Sequence, residues 1–152
     1  MTERGIIDSP VVILLVEDNP SHAELIMRSL EDNRAKNQIY HVSDGEMALD
    51  YLFRRNDFAE PAKSPIPQVI LLDLRLPKVD GLEVLRRVKQ STDLSAIPVV
   101  ILTTSEAERD VTMAYELHAN SYLVKPVVFS KFIQLMDQLG FYWLNWNHSP
   151  RI

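Results

Sequence analysis

Val69-Ile70-Leu71-Leu72-Asp73-Leu74-Arg75-Leu76-Pro77 puts a carboxylate directly after four apolar residues. A short apolar run of this kind reads as a strand buried on both faces. Burial gives a carboxylate no stability of its own, so an acid at the end of such a strand needs another reason to be there. Far upstream, Val11-Val12-Ile13-Leu14-Leu15-Val16 is a second run of the same type, and it ends in Glu17-Asp18. Two buried strands that both stop at acids predict a shared acidic site where the strands end.

Working outward from these two strands, the chain alternates. Asn19-Pro20 suits a helix start, with Asn as cap and Pro in the first turn, and Ala23, Ile26, Met27 and Leu30 form the apolar stripe. Ile39–Val42 is a weaker strand. Ser43 with Glu46 has capping-box spacing before a helix carrying Ala48, Leu49, Leu52 and Phe53. Residues 56–67 hold three prolines and no periodicity, so they read as the longest loop. Asp80 with Glu83 caps a helix that turns Leu82, Leu85 and Val88 inward. Val99–Leu102 is the fourth strand, and Ser105 with Glu108 starts a helix with Val111, Ala114 and Leu117 on one face. Tyr122-Leu123-Val124 is the fifth strand, and Ser130 opens a last helix with Phe132, Ile133, Met136 and Leu139. Strands alternating with helices predict an α/β fold: a five-stranded parallel sheet, doubly wound. The order 2-1-3-4-5 puts the switch point between strands one and three, where ligands bind beyond the strand ends. Glu17-Asp18 and Asp73 end those two strands.

Composition narrows the classes. A length of 152 residues suits one domain with a sizeable core. The net charge of −5 and the lack of a basic block argue against a nucleic-acid partner. Cysteine is absent, which removes disulfides and thiolate metal sites and fits a cytoplasmic location. Neither a signal peptide nor a membrane-spanning run is visible.

Clustered carboxylates repel one another unless a cation joins them. Oxygen ligands without His or Cys favour Mg²⁺, which keeps waters and leaves room for a phosphate; Mn²⁺ or Ca²⁺ are substitutes of the same hard class. Alone, Glu17-Asp18 also fits a solvated turn before a helix, where acids complement the dipole, and Asp73 also fits a buried capping residue. Two further strand ends bear on the choice. The fourth ends in Thr103-Thr104-Ser105 and the fifth in Lys125-Pro126. A hydroxyl and an ammonium at the same acidic mouth suit a phosphoryl group better than four unrelated surface residues.

In this order and spacing, the chain resembles the receiver domain of two-component response regulators over about residues 10 to 140. Glu17-Asp18, Asp73 with Pro77 and Gly81, Thr103, and Lys125-Pro126 carry the resemblance. It implies that Asp73 accepts a phosphoryl group from a histidine kinase. It implies that Asp18, Asp73 and the main-chain carbonyl of Arg75 ligate Mg²⁺, with Glu17 acting through water. Thr103, the amide of Thr104, and Lys125 would hold the phosphoryl oxygens. Thr103 and Tyr122 would form the conformational switch, and the Lys125–Pro126 peptide would be cis. Such a protein is a phosphoacceptor switch rather than an enzyme with a separate substrate, although it promotes its own phosphorylation and dephosphorylation.

Several departures sharpen the resemblance. His118 stands where many receivers have Gly, and would need to adopt a left-handed backbone. The loop over residues 56–67 is long, and Phe141-Tyr142-Trp143-Leu144-Asn145-Trp146 is an aromatic tail. No DNA-binding or catalytic domain is expected after the receiver, so output would come through protein contact. These traits are similar to the small single-domain regulators that partner bacterial and cyanobacterial phytochromes, which implies a phytochrome-type kinase. The expected division is an arm over residues 1–9, a receiver over 10–140, and an aromatic extension over 141–152. Phe132, Met136, Leu139, Trp143 and Trp146 lie at helical spacing if the last helix runs through Gly140, which suggests a homodimer seam. The alternative is that Gly140 ends the helix and the aromatics fold back. Three other classes share parts of the pattern. An aspartate-nucleophile phosphatase needs a second Asp where Arg75 stands, and a flavin binder needs a Gly- and hydroxyl-rich loop where Glu17-Asp18 stands. A degenerate receiver acting only as a binding module would leave active-site positions unfilled.

Overall fold

A computed structural model describes residues 11–30, 37–103, 108–119, 121–125, 127–128, 130–131 and 134. Five parallel strands form one sheet in the order β2-β1-β3-β4-β5, as expected from the sequence. They are β1 (Val11–Val16), β2 (Asn37–Val42), β3 (Val69–Asp73), β4 (Val99–Thr103) and β5 (Ser121–Val124). Between them lie α1 (Pro20–Leu30), α2 (Gly45–Phe53), α3 (Gly81–Gln90) and α4 (Glu108–Glu116). Residues 130, 131 and 134 are also helical, where a last helix was expected.

The central strands alternate their side chains between two cores. Ile13, Leu15, Val69, Leu71, Val100 and Leu102 pack with Ala23, Ile26 and Leu30 of α1. Leu14, Val16, Ile70, Leu72, Val99 and Ile101 face the other way, onto α2, α3 and Ala114 of α4. Covering both faces explains why β1 and β3 are continuous apolar runs. The register pairs Val16 with Leu72 and Asp73 with Leu102, so neighbouring strands stop at nearly the same level.

Some local readings need correction. The cap of α2 is Asp44, not Ser43: its Oδ1 accepts from the Met47 amide at 2.7 Å. Glu46 reaches away, to Lys78 at 3.8 Å. Asp80 does cap α3, but Glu83 binds Arg86 and Arg87 instead of closing a capping box. Leu85 and Val88 are buried as expected, Leu82 packs half-buried against the same core, and Val84 is a further fully buried residue of that helix. In α2, Tyr51 is buried and Phe53 is partly exposed, with the Arg55 guanidinium 5.5 Å from its ring. Tyr51 earns its place with a hydrogen bond from its hydroxyl to the Pro65 carbonyl at 2.7 Å. Residues 56–67 are not featureless either. They hold two short 3₁₀ turns, Asn56–Phe58 and Pro61–Lys63, pinned by the buried Ser64 hydroxyl, which donates to Phe58 and Glu60 carbonyls. His118 takes a left-handed backbone, φ 70°, as its position before β5 requires.

Candidate functional site

The strand ends build the site. Asp73 is the last residue of β3, and its Oδ1 accepts from the Arg75 amide at 3.0 Å. The chain can turn sharply after Asp73 because Gly81 packs against it: a Cβ there would lie 2.3 Å from the Asp73 carbonyl oxygen. Glu17 follows β1 and is fully buried. Its amide donates to the Val42 carbonyl at 3.1 Å, and its own carbonyl is met by His41 Nε2 at 2.8 Å. Asp18, next in sequence, is exposed. Asn19 caps α1 by accepting from the His22 amide at 3.1 Å, while its own amide donates to Glu17 Oε2 at 3.1 Å.

Glu17, Asp18 and Asp73 each offer an oxygen, and these lie within 4.8 Å of one another. Lys125, just beyond β5, reaches into the same place. Its Nζ lies 3.2 Å from Asp73 Oδ2, in close contact with Glu17 Oε1, and 3.1 Å from His22 Nδ1. The Lys125 side chain is only 8% exposed. Burial raises the pKa of Glu17 and the negative charge of Asp73 adds to this, while the Lys125 ammonium and the Asn19 amide oppose it. One ammonium thus stands between two buried acids. A hard cation fits this donor set: oxygen ligands, two of them buried, and one exposed carboxylate at the opening. Together Glu17, Asp18, Asn19, His22, Asp73, Arg75 and Lys125 line a cleft of about 230 Å³.

The expected site residues therefore separate into groups. Glu17, Asp18, Asp73, Arg75 and Lys125 come together. Thr103 ends β4, paired with Val124 and one residue past the partner of Asp73, so its backbone is at the right level; its side chain lies outside the described residues. Tyr122 is half-buried on β5, edge-on to Tyr115 with ring centroids 6.2 Å apart. Thr104, Pro126, Phe132, Met136, Leu139, Trp143 and Trp146 lie outside the described residues. Sequence reasoning missed His22, which enters the cleft from the first turn of α1 and not from a strand end.

Comparison with known proteins agrees with this geometry. The response regulator receiver domain model matches residues 13–137. The probable methanogenesis regulatory protein FilR2 of Methanothrix harundinacea is 48% identical over 143 residues, 94% of this chain and 90% of that protein. Response regulator Rcp1 of Synechocystis sp. is 41% identical over 135 residues, 89% of this chain and 90% of that protein. The crystal structure of its Mn²⁺-bound form superposes with a TM-score of 0.72, covering 89% of this chain and 95% of that one. The bacteriophytochrome response regulator RtBRR superposes with a TM-score of 0.79 at 48% identity, covering 94% of this chain and 86% of that one. Among the described residues no helix is long and apolar enough to cross a membrane. With its strand order, its acidic cleft and a family match spanning most of its length, the chain belongs to the response regulator receiver domain family.

Proposed function

We propose that Asp73 accepts a phosphoryl group from the phosphohistidine of a sensor histidine kinase, with Mg²⁺ held by Asp18, Asp73 and the Arg75 carbonyl, and by Glu17 through water. The observation that carries this reading is the meeting of Asp73, Glu17, Asp18 and Lys125 in one cleft at the ends of β1, β3 and β5. When bound, the cation neutralises charge on the transferring group; Mn²⁺ or Ca²⁺ can take its place. An Asp73 carboxylate oxygen attacks phosphorus as the P–N bond breaks. The electron pair returns to the imidazole nitrogen, and Asp73 becomes an acyl phosphate. Lys125 stands ready to bond a phosphoryl oxygen, since it already touches Asp73. Thr103 and the Thr104 amide take the others. Little more is needed from the protein, because phosphoryl transfer rests on positioning and electrostatics.

The product state draws Thr103 toward the phosphoryl group, and Tyr122 moves into the space released. Edge packing of Tyr122 on Tyr115 ties that movement to α4. The chain is a switch that also promotes its own phosphorylation and dephosphorylation. The kinase is of phytochrome type on this reading, supported by the similarity to RtBRR, which is named as a bacteriophytochrome response regulator. Phosphotransfer profiling against the host's histidine kinases tests that pairing. Output passes through protein contact rather than nucleic acid, in keeping with the net charge of −5. A homodimer forms through the last helix, along Phe132, Met136, Leu139, Trp143 and Trp146.

The test of the central reading is incubation of wild-type and Asp73→Asn protein with Mg²⁺ and acetyl phosphate, counting phosphoryl groups per chain. One group on the wild type and none on the variant is expected. Equal labelling of both would refute the assignment.

A further inference from the structure

Lys125 Nζ has three N–H groups and three neighbours: Glu17 Oε1, Asp73 Oδ2 at 3.2 Å and His22 Nδ1 at 3.1 Å. An ammonium can only donate, so Nδ1 is the acceptor in this contact. Lys125 is shared between two carboxylates. Glu17 is fully buried and in close contact; Asp73 is at the cleft and farther away. His22 belongs to the first turn of α1, and its side chain is 38% exposed, at the open side of the cleft. A third acceptor on the open side keeps the ammonium from settling wholly onto Glu17.

We propose that His22 is a positioning residue for Lys125: its Nδ1 holds the ammonium at the cleft, where it can meet a phosphoryl oxygen on Asp73. The inference rests on the reading of Lys125 as a phosphoryl-binding group. His22 meets the ammonium through a ring nitrogen and not through a carboxylate, and it is the most exposed of the three. It is therefore the partner that Lys125 releases most readily when a phosphoryl oxygen arrives, whereas the carboxylates keep their charge-assisted bonds. Its contribution is to the rate of phosphorylation and not to cation binding, because the metal-ligating oxygens belong to other residues.

The experiment compares wild type, His22→Leu and His22→Asn for phosphorylation by acetyl phosphate at saturating Mg²⁺, with Mg²⁺ affinity measured separately by calorimetry. Leu keeps the bulk without the acceptor; Asn places an oxygen close to the position of Nδ1. The expected result is a phosphorylation rate about 3- to 10-fold lower in His22→Leu, the size of one partly exposed charge-assisted hydrogen bond. His22→Asn should return to within about 2-fold of wild type, and Mg²⁺ affinity should be unchanged in both. In a Lys125→Met background, His22→Leu should have no additional effect. An unchanged rate in His22→Leu, an equal loss in the Lys125→Met background, or a parallel loss of Mg²⁺ affinity would each overturn the proposal. If instead Lys125→Met itself phosphorylates at the wild-type rate, the assignment of Lys125 fails, and that result is distinct from an effect confined to His22.

Discussion

Lys125 is the residue on which the unphosphorylated site depends. It is the one cation, among the described residues, in contact with both Glu17 and Asp73, and all three side chains are buried or nearly so. Removing one partner of a buried ionic cluster leaves uncompensated charge, at a cost of about 3–5 kcal/mol. Lys125→Met should therefore lower the stability of the cation-free protein by about that amount, read as a lower denaturant midpoint. Mg²⁺ should restore part of the loss, because a ligand that binds only the folded state stabilises it. A variant as stable as wild type without cation would contradict this account. The acids and Lys125 were legible in the sequence because each ends a strand, and strand ends of a parallel sheet gather at one edge. His22 was not. Its place depends on how the first turn of α1 sits over Glu17, and strand-end logic does not reach a helix side chain.

Elements fix how closely the site is framed. Gly81 starts α3 directly against the Asp73 and Leu74 backbone, and an added Cβ would meet Leu74 Cα at 2.6 Å. The obstruction is backbone, which yields less than a side-chain end, so Gly81→Ala should destabilise the fold by about 1–3 kcal/mol. A denaturant titration checks this; an unchanged midpoint would show that the β3–α3 turn can shift freely. Further along α3, hydrogen bonds from Arg86 and Arg87 hold the Glu83 carboxyl down at about 2. Its folded value lies below the ordinary 4.5, so its stabilising contribution is present above that pH and is lost as the pH falls toward 2. Carboxyl NMR should find a Glu83 midpoint well below 4.5, moving back toward it in high salt, since the group is partly exposed to solvent. Element boundaries were legible from apolar periodicity, but the caps were less so. Ser43 and Asp44 are both good capping residues, and local sequence does not choose between them; in the fold Asp44 is the cap, and Gly45 after it packs tightly against Val79. Tyr51 can be buried because its hydroxyl finds the Pro65 carbonyl, a partner 14 residues away that periodicity does not reveal.

At the scale of the whole molecule, topology followed from the alternation of strands and helices, since right-handed crossovers leave few arrangements of five parallel strands. The same rule brought Glu17 and Asp73, 56 positions apart, into one cleft. Assembly is a different matter, because the proposed dimer seam depends on a surface shared between chains and not on local pattern. Sedimentation should give a dimer mass for wild type and a monomer for Trp143→Ala; a wild-type monomer at high concentration would rule out the seam. The central claim, that Asp73 carries the phosphoryl group, is tested most directly by reductive trapping. Borohydride converts an aspartyl phosphate to homoserine, which peptide mass spectrometry locates after treatment with acetyl phosphate and Mg²⁺. The account predicts homoserine at position 73 and nowhere else. Conversion at Asp18, or phosphate found on His22 with residue 73 unmodified, would contradict it.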